Sequence, residues 1–178
     1  MVKVLFICVN NARRSQMAEA IFNSLAGGGA FSAGLEPAEY VDENVITVLK
    51  EIGVKAVGLK PKKLTPSMLR EADRIVAFKC KGRIPQKFRG KVQEWSIGAE
   101  SAEELKALYS IDYLRKIRDE IYENIRKLLQ DLNGAKHPKT TRLKGGGKVF
   151  TLFRASEADE THPGLQGWSL CLKKGEVE

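Results

Sequence analysis

An apolar, β-branched run at residues 2–8, VKVLFIC, passes directly into the polar stretch CVNNARRS and then into an amphipathic segment. Met17, Ala18, Ile21, Phe22 and Leu25 recur there at helical spacing until Gly27, Gly28 and Gly29 end it. A short continuous apolar run reads as a strand buried on both faces, and a 3.6-residue repeat reads as a helix with one buried face. Strand, loop and helix in that order commit the chain to a sheet that helices must cover.

The same alternation continues. A short strand is expected at residues 30–33, then a helix carrying Val45, Val48, Leu49 and Ile52 that stops at Gly53. A short helix over 65–71 leads into a strand at 74–78, and residues 91–97 read as a fourth strand. Leu114, Ile117, Ile121, Ile125, Leu128 and Leu132 form the apolar face of a long helix ending at Asn133 and Gly134. The expected fold is α/β: three layers around a four-stranded parallel sheet, helices on both faces, with ligands beyond the carboxyl ends of the strands. Cys8 stands at such an end.

After Gly134 the character changes. Residues 1–134 read as one domain, and residues 135–178 as a basic, glycine-containing linker (AKHPKTTRLKGGGK) followed by an appendage of unknown role. The appendage has too few apolar residues for a core of its own, and since every motif precedes it, it is expected to be dispensable for chemistry.

The sequence contains no apolar run near the roughly eighteen residues that cross a bilayer, and its start is too short for a secretory signal, so a cytoplasmic location is expected. Three cysteines, at 8, 80 and 171, are too few for a disulfide framework. His137 and His162 each precede a proline in loop-like sequence and read as surface residues, and no metal or bound cofactor is expected. A net charge of +8 favours anionic partners, but Lys and Arg are interleaved with Asp and Glu and aromatics are only 7%, so nucleic acid is not the expected one.

In CVNNARRS a cysteine at a strand end precedes an arginine by six positions, at the first turn of a helix. Five intervening residues can curl so that their N–H groups point inward, forming a nest for a tetrahedral oxyanion, and the helix adds its positive end. The expected oxyanion cradle is Val9, Asn10, Asn11, Ala12, Arg13 and Arg14, with Arg14 gripping two oxygens in a planar fork. The same field favours Cys8 as a thiolate nucleophile, and Ser15 can donate a hydrogen bond to its sulfur. Asn10 and Asn11 suit the left-handed backbone that such a nest calls for.

With this loop, the helix opening SQMAEA (15–20), SAGLEP (32–37) and KPKKLT (60–65), the chain resembles low-molecular-weight protein tyrosine phosphatases and the arsenate reductases built on the same fold. The resemblance covers residues 2–132. SQMAEA looks more like the reductase branch, since the phosphatase branch usually carries proline where this chain has Gln16. It implies Cys8 as nucleophile, Arg14 as oxyanion clamp, Ser15 as thiolate stabiliser and Asn11 as the residue that shapes this phosphate-type loop (P-loop). The implied activity is reduction of arsenate to arsenite, an arsenic-detoxifying reaction. A Cys8 thiol-arsenate adduct would be resolved by a second thiol, with thioredoxin, glutaredoxin or a small thiol as reductant.

Three departures separate this chain from the family pattern. The loop's usual glycine is Asn10. The Asp-Pro acid is missing from WSIGAESAEE, leaving Glu100, Glu103 or Asp112 as substitutes. In FKCKGRIP (78–85) Cys80 matches the first cysteine of thioredoxin-coupled reductases, while Ile84 stands where the second would be. Cys80 is the expected resolving thiol, with a purely structural cysteine as the alternative; Cys171 lies in no motif. A phosphatase needs an acid to protonate its leaving group, so the missing Asp-Pro weighs more against phosphomonoester hydrolysis through a phosphocysteine, the first rival function. A non-enzymatic anion-binding module is the second.

Overall fold

The structure, a computed structural model, describes residues 2–98, 110–135, 152–153 and 169–170. The chain divides into two compact units, Met1–Gln130 and Asp131–Glu178.

The first unit holds four parallel strands, β1 (Val4–Cys8), β2 (Ala30–Gly34), β3 (Arg74–Phe78) and β4 (Val92–Trp95), in the spatial order β2-β1-β3-β4. Every residue of β1 is buried, as expected of a central strand covered on both faces. Alternation sorts its side chains. Phe6 meets Phe22 of helix α1 (Arg14–Ala26) with ring centroids 6.0 Å apart, and Trp95 at the same distance. Leu5 and Ile7 face the opposite way, into a cluster with Ala33, Ile75, Ala77, Ile84 and Leu69 of helix α3 (Pro66–Glu71). The sheet is thus the middle of three layers, as the sequence pattern implied.

Helix α2 (Glu43–Glu51) starts on Asp42, whose carboxylate accepts the Asn44 N–H at 3.0 Å. Thr65 caps α3 in the same manner, with Pro66 in the first turn where its missing N–H costs nothing. The long helix α4 runs Ile111–Ala135, one residue past the expected stop at Asn133 and Gly134. Two short 3-10 turns, Lys81–Arg83 and Gln86–Lys91, link β3 to β4.

Strand order reverses between β1 and β3, because the chain leaves β1 for β2 on one side and returns to β3 on the other. The helices on either side of such a switch point leave a crevice at the carboxyl ends of the strands. Cys8 ends β1, and Lys79 and Cys80 follow β3.

Among the described residues, no helix is long and apolar enough to cross a membrane. Residues 152–153 and 169–170 form a two-stranded antiparallel sheet, β5 with β6, in the second unit. Ala135, the first residue of the expected linker, closes α4; the rest of that linker, His137, His162 and Cys171 lie outside the described residues.

Arg118 ties α4 to α2: its guanidinium donates to the Val48 carbonyl at 3.0 Å and to Glu51 at 2.8 Å while only 8% exposed. Arg115 also pairs with Glu51 but is far more exposed. Replacing Arg118 by alanine strands a buried carbonyl and should cost about 2 kcal/mol, whereas Arg115→Ala should cost less than about 1 kcal/mol. Urea unfolding of the two variants checks the contrast.

Candidate active site

The loop after β1 is built from the outside. Each carbonyl from Cys8 to Arg13 is taken by a donor: Cys8 by Leu35 N–H (3.2 Å), Val9 by Glu36 (2.9 Å), Asn10 by Ala38 (2.8 Å), Ala12 by Asp42 (3.1 Å) and Arg13 by Met17 (2.9 Å). The Asn11 carbonyl accepts from Gln16 Nε2 at 3.0 Å. In a trans peptide the next residue's N–H points opposite to the carbonyl, and no peptide here is cis. The six carbonyls drawn away therefore turn the N–H groups of residues 9–14 towards the loop's interior. Asn11 N–H shows this directly, donating to Cys8 Sγ at 3.1 Å.

Asn11 is the pillar of the loop. Fully buried, it adopts φ 48° and uses all its amide capacity. Its Nδ2 donates to Ser15 Oγ (2.8 Å) and Ser32 Oγ (2.9 Å), while its Oδ1 accepts from Lys62 N–H (2.8 Å) and Gln16 Nε2 (3.1 Å). A main-chain donor at Oδ1 fixes which way the amide points. Ser15 Oγ, having accepted from that amide, can give its own hydrogen to Cys8 Sγ 3.0 Å away. Sulfur thus meets two donors, Ser15 Oγ and the Asn11 N–H.

Behind this lies a closed ring. Ser32 Oγ donates to Glu19 Oε2 at 2.5 Å, Glu19 pairs with Lys62 Nζ at 3.0 Å, and the main chain of Lys62 returns to Asn11.

The expectation of a left-handed Asn10 is corrected. Among the described non-glycine residues only Asn11 and Lys79 have positive φ. Asn10 keeps negative φ, with its carbonyl bonded to Ala38 N–H; a single left-handed residue suffices to turn the loop. Arg13 contributes its backbone, since its side chain is committed to Asp42 at 2.6 Å. Arg14 places its Nη1 3.2 Å from the Ile97 carbonyl, on the wall of the cleft.

The cleft is a cavity of about 780 Å³ lined by Cys8, Val9, Asn10, Ala12, Arg13 and Arg14, and walled by Tyr40, Asp42, Lys79, Tyr113 and Ile117 among others. Of the carboxylates considered as replacements for Asp-Pro, Asp112 pairs with Arg115 at 2.8 Å on the exposed surface. Glu100 and Glu103 lie outside the described residues.

Cys80 is not on the cleft's lining. It is 3% exposed, packs into the cluster of Leu5, Ile7 and Ile84, and donates to the Ile7 carbonyl at 3.5 Å. Burial pushes its thiol up to about 11, with the charge at Cys8 adding to the effect. For Cys80 to attack Cys8, its segment must leave the core and the thiol must ionise.

Residues that sequence reading missed include Gly34, which pairs with Cys8 across β1 and β2. A Cβ there would stand 2.8 Å from the Val9 carbonyl and 2.9 Å from Asn11 Cβ. Asp42, legible as a helix cap in VDEN, also holds Arg13. Ser32, Glu19 and Lys62 carry no local signal of their part in the ring.

A family model described as low molecular weight phosphotyrosine protein phosphatase matches residues 3–137. The arsenate reductase of Bacillus licheniformis is 28% identical over 139 residues, covering 71% of this chain and 94% of that protein. The thioredoxin-dependent arsenate reductase of Corynebacterium glutamicum superposes with a TM-score of 0.63 at 30% identity, over 76% of this chain and 63% of the other, so less than two thirds of its length is spanned. The low molecular weight protein tyrosine phosphatase from T. tengcongensis gives a TM-score of 0.60 at 26% identity, over 74% of this chain and 99% of the other.

Two outcomes follow from the geometry. Gly34→Ala must displace the loop backbone, so phosphate or sulfate affinity measured by calorimetry should fall at least about tenfold, ~1.4 kcal/mol. Alkylation by iodoacetamide near pH 8 should modify Cys8 and spare Cys80 until the protein is unfolded. Cys80 stays protonated below its raised value, so its labelling should grow only as pH climbs towards about 11, read by peptide mass mapping.

Proposed function

This chain belongs to the low molecular weight phosphotyrosine protein phosphatase family, and from that premise we propose that it is a thiol-dependent arsenate reductase. The observation that carries the reading is the inward-facing amide loop around a sulfur held by Ser15 and Asn11. Its preference for arsenate over an ester is supported by the arsenate reductase of Bacillus licheniformis named above and by the two carboxylates among the described residues of the cleft. Asp42 is bound to Arg13, and Glu39 accepts from Tyr40 at 2.6 Å. An ester's leaving group needs a proton donor, and neither carboxylate offers one in this arrangement.

In this mechanism the amides of residues 9–14 and the fork of Arg14 hold arsenate with its arsenic facing Cys8 Sγ. The thiolate attacks, a sulfur–arsenic bond forms, and one oxygen departs as water. A second thiol then attacks Cys8 sulfur. The new disulfide forms as the electron pair of the sulfur–arsenic bond remains on arsenic, which leaves as arsenite. Because Cys80 is buried and protonated, and the cleft is larger than one oxyanion, the second thiol in this reading comes from solution, as a small thiol or a thioredoxin- or glutaredoxin-type protein. The same external reductant then opens the disulfide.

Arsenite release with glutathione, thioredoxin or glutaredoxin, run beside p-nitrophenyl phosphate hydrolysis, tests the proposal. Rapid ester turnover without arsenite would replace reductase by phosphatase. Cys8→Ser should abolish activity with the fold intact, and Arg14→Lys should cost more than about tenfold, since charge survives but the fork does not. Cys80→Ser should retain turnover with a small thiol. A Cys8–Cys80 disulfide found by mass spectrometry after one turnover without reductant would return the resolving role to Cys80.

A further inference from the structure

We propose that Gln16 is a positioning residue for the oxyanion: it holds the Asn11–Ala12 peptide from behind and so aims the Ala12 amide into the cradle. The proposal rests on the oxyanion-cradle reading and names the one side chain on which the direction of a cradle amide depends.

Of the six carbonyls bonded away from the loop, five are taken by main-chain N–H groups, those of Leu35, Glu36, Ala38, Asp42 and Met17. The sixth, that of Asn11, is taken by a side chain, Gln16 Nε2 at 3.0 Å. Main-chain donors survive every substitution except proline. The Asn11–Ala12 peptide is therefore the one whose direction a single side chain decides. It also follows the loop's left-handed residue, Asn11 at φ 48°. A non-glycine residue keeps that backbone only where its surroundings hold it.

Gln16 is itself held firmly. It is fully buried in the first turn of α1, and its Nε2 faces three acceptors: the Asn11 carbonyl, Asn11 Oδ1 at 3.1 Å and the Lys60 carbonyl at 2.8 Å. Turning the amide over would set oxygen against three oxygens, so its orientation is fixed. The Lys60 end is anchored in turn, because Gly34 N–H donates to the Lys62 carbonyl and Leu64 N–H to the Gly34 carbonyl, both at 2.8 Å. Gln16 thus braces the loop against the chain fastened to the end of β2. Its Oε1 is buried with no partner among the described residues. An unpaired buried oxygen costs stability, so what this side chain contributes is the placement of its donor.

The consequence is local. In a trans peptide the Ala12 N–H points opposite to the Asn11 carbonyl, into the cradle. Without Gln16 that buried carbonyl has no protein donor and turns towards whatever donor it can reach. The Ala12 N–H turns with it, and a bound oxyanion loses one aimed donor. A hydrogen bond to a charged group is ordinarily worth about ten- to a hundredfold in binding.

Phosphate titrated into the full-length protein, read by calorimetry and by NMR of the loop amides, tests this. In the wild type, the Gln16 side-chain amide should exchange slowly with solvent and the Ala12 resonance should move as phosphate binds. Gln16→Met keeps bulk and helix propensity but donates nothing. It should bind phosphate at least about tenfold more weakly, with the Ala12 response lost and those of Val9 and Asn10 retained, since Leu35 and Glu36 still hold their peptides. Gln16→Glu near pH 8 sets a carboxylate against the same acceptors and should be at least as weak. Unchanged affinity in Gln16→Met, or a loss spread evenly over all loop amides together with a lower urea midpoint, would overturn the proposal. So would rapid exchange of the wild-type Gln16 amide, a reading that needs no variant to fold. A wild type that does not bind phosphate would overturn the cradle reading and this proposal together. Phosphate binding without arsenite release would sink the reductase reading alone, and the Ala12 response in the variants would still decide the role of Gln16.

Discussion

Six consecutive carbonyls, Cys8 to Arg13, are bonded away from the loop they belong to, and the amides behind them have only the interior to face. A curled loop of free amides is a poor conformation in isolation, since parallel N–H dipoles repel and water solvates them better. Here the donors that hold the carbonyls come mainly from the chain just after β2, at residues 35–42. That segment can reach because β2 lies beside β1 in register, Cys8 opposite Gly34. The sheet register thus fixes the loop, with its carbonyls bonded outward and its amides turned to the interior.

The strand, loop and helix at the start of the chain were legible because each is encoded locally. An apolar run, a polar break and a 3.6-residue repeat need no distant partner to be recognised, and the four strands and the helix capped by Asp42 follow the same logic. Cys8, Ser15 and Arg14 were legible from chemistry joined to spacing. The ring through Ser32, Glu19 and Lys62 was not, since its members lie 8 to 51 positions from Asn11 and meet only after the sheet has formed. Asn10 misled because asparagine tolerates the left-handed region without being obliged to occupy it. The buried setting of Cys80 was not legible either. Strand alternation ends at Phe78, and the turn at Lys79 then directs the next side chain into the core rather than towards Cys8.

The placement of the two cysteines separates their chemistry more sharply than sequence could. Cys8 meets a hydroxyl and an amide N–H as hydrogen-bond donors, while Cys80 meets methyl and methylene groups and one carbonyl acceptor. Donors stabilise a sulfur anion, whereas apolar walls and an acceptor stabilise the neutral thiol. At the ends of two neighbouring strands, the same side chain faces hydrogen-bond donors in one setting and is packing material in the other.

The closed ring behind Asn11 extends this reasoning to the direction of each hydrogen. Glu19, paired with Lys62, can only accept from Ser32; Ser32 is then free to accept from Asn11. Lys62 N–H holds the Asn11 oxygen, so the amide nitrogen must face Ser15, and the Ser15 hydrogen is left for the sulfur. Reversing any one bond would require a carboxylate to donate or an amide to flip against a main-chain N–H. A half-buried ion pair is worth little as stability, but at this position it sets the polarity of a hydrogen-bond chain that ends on the Cys8 sulfur.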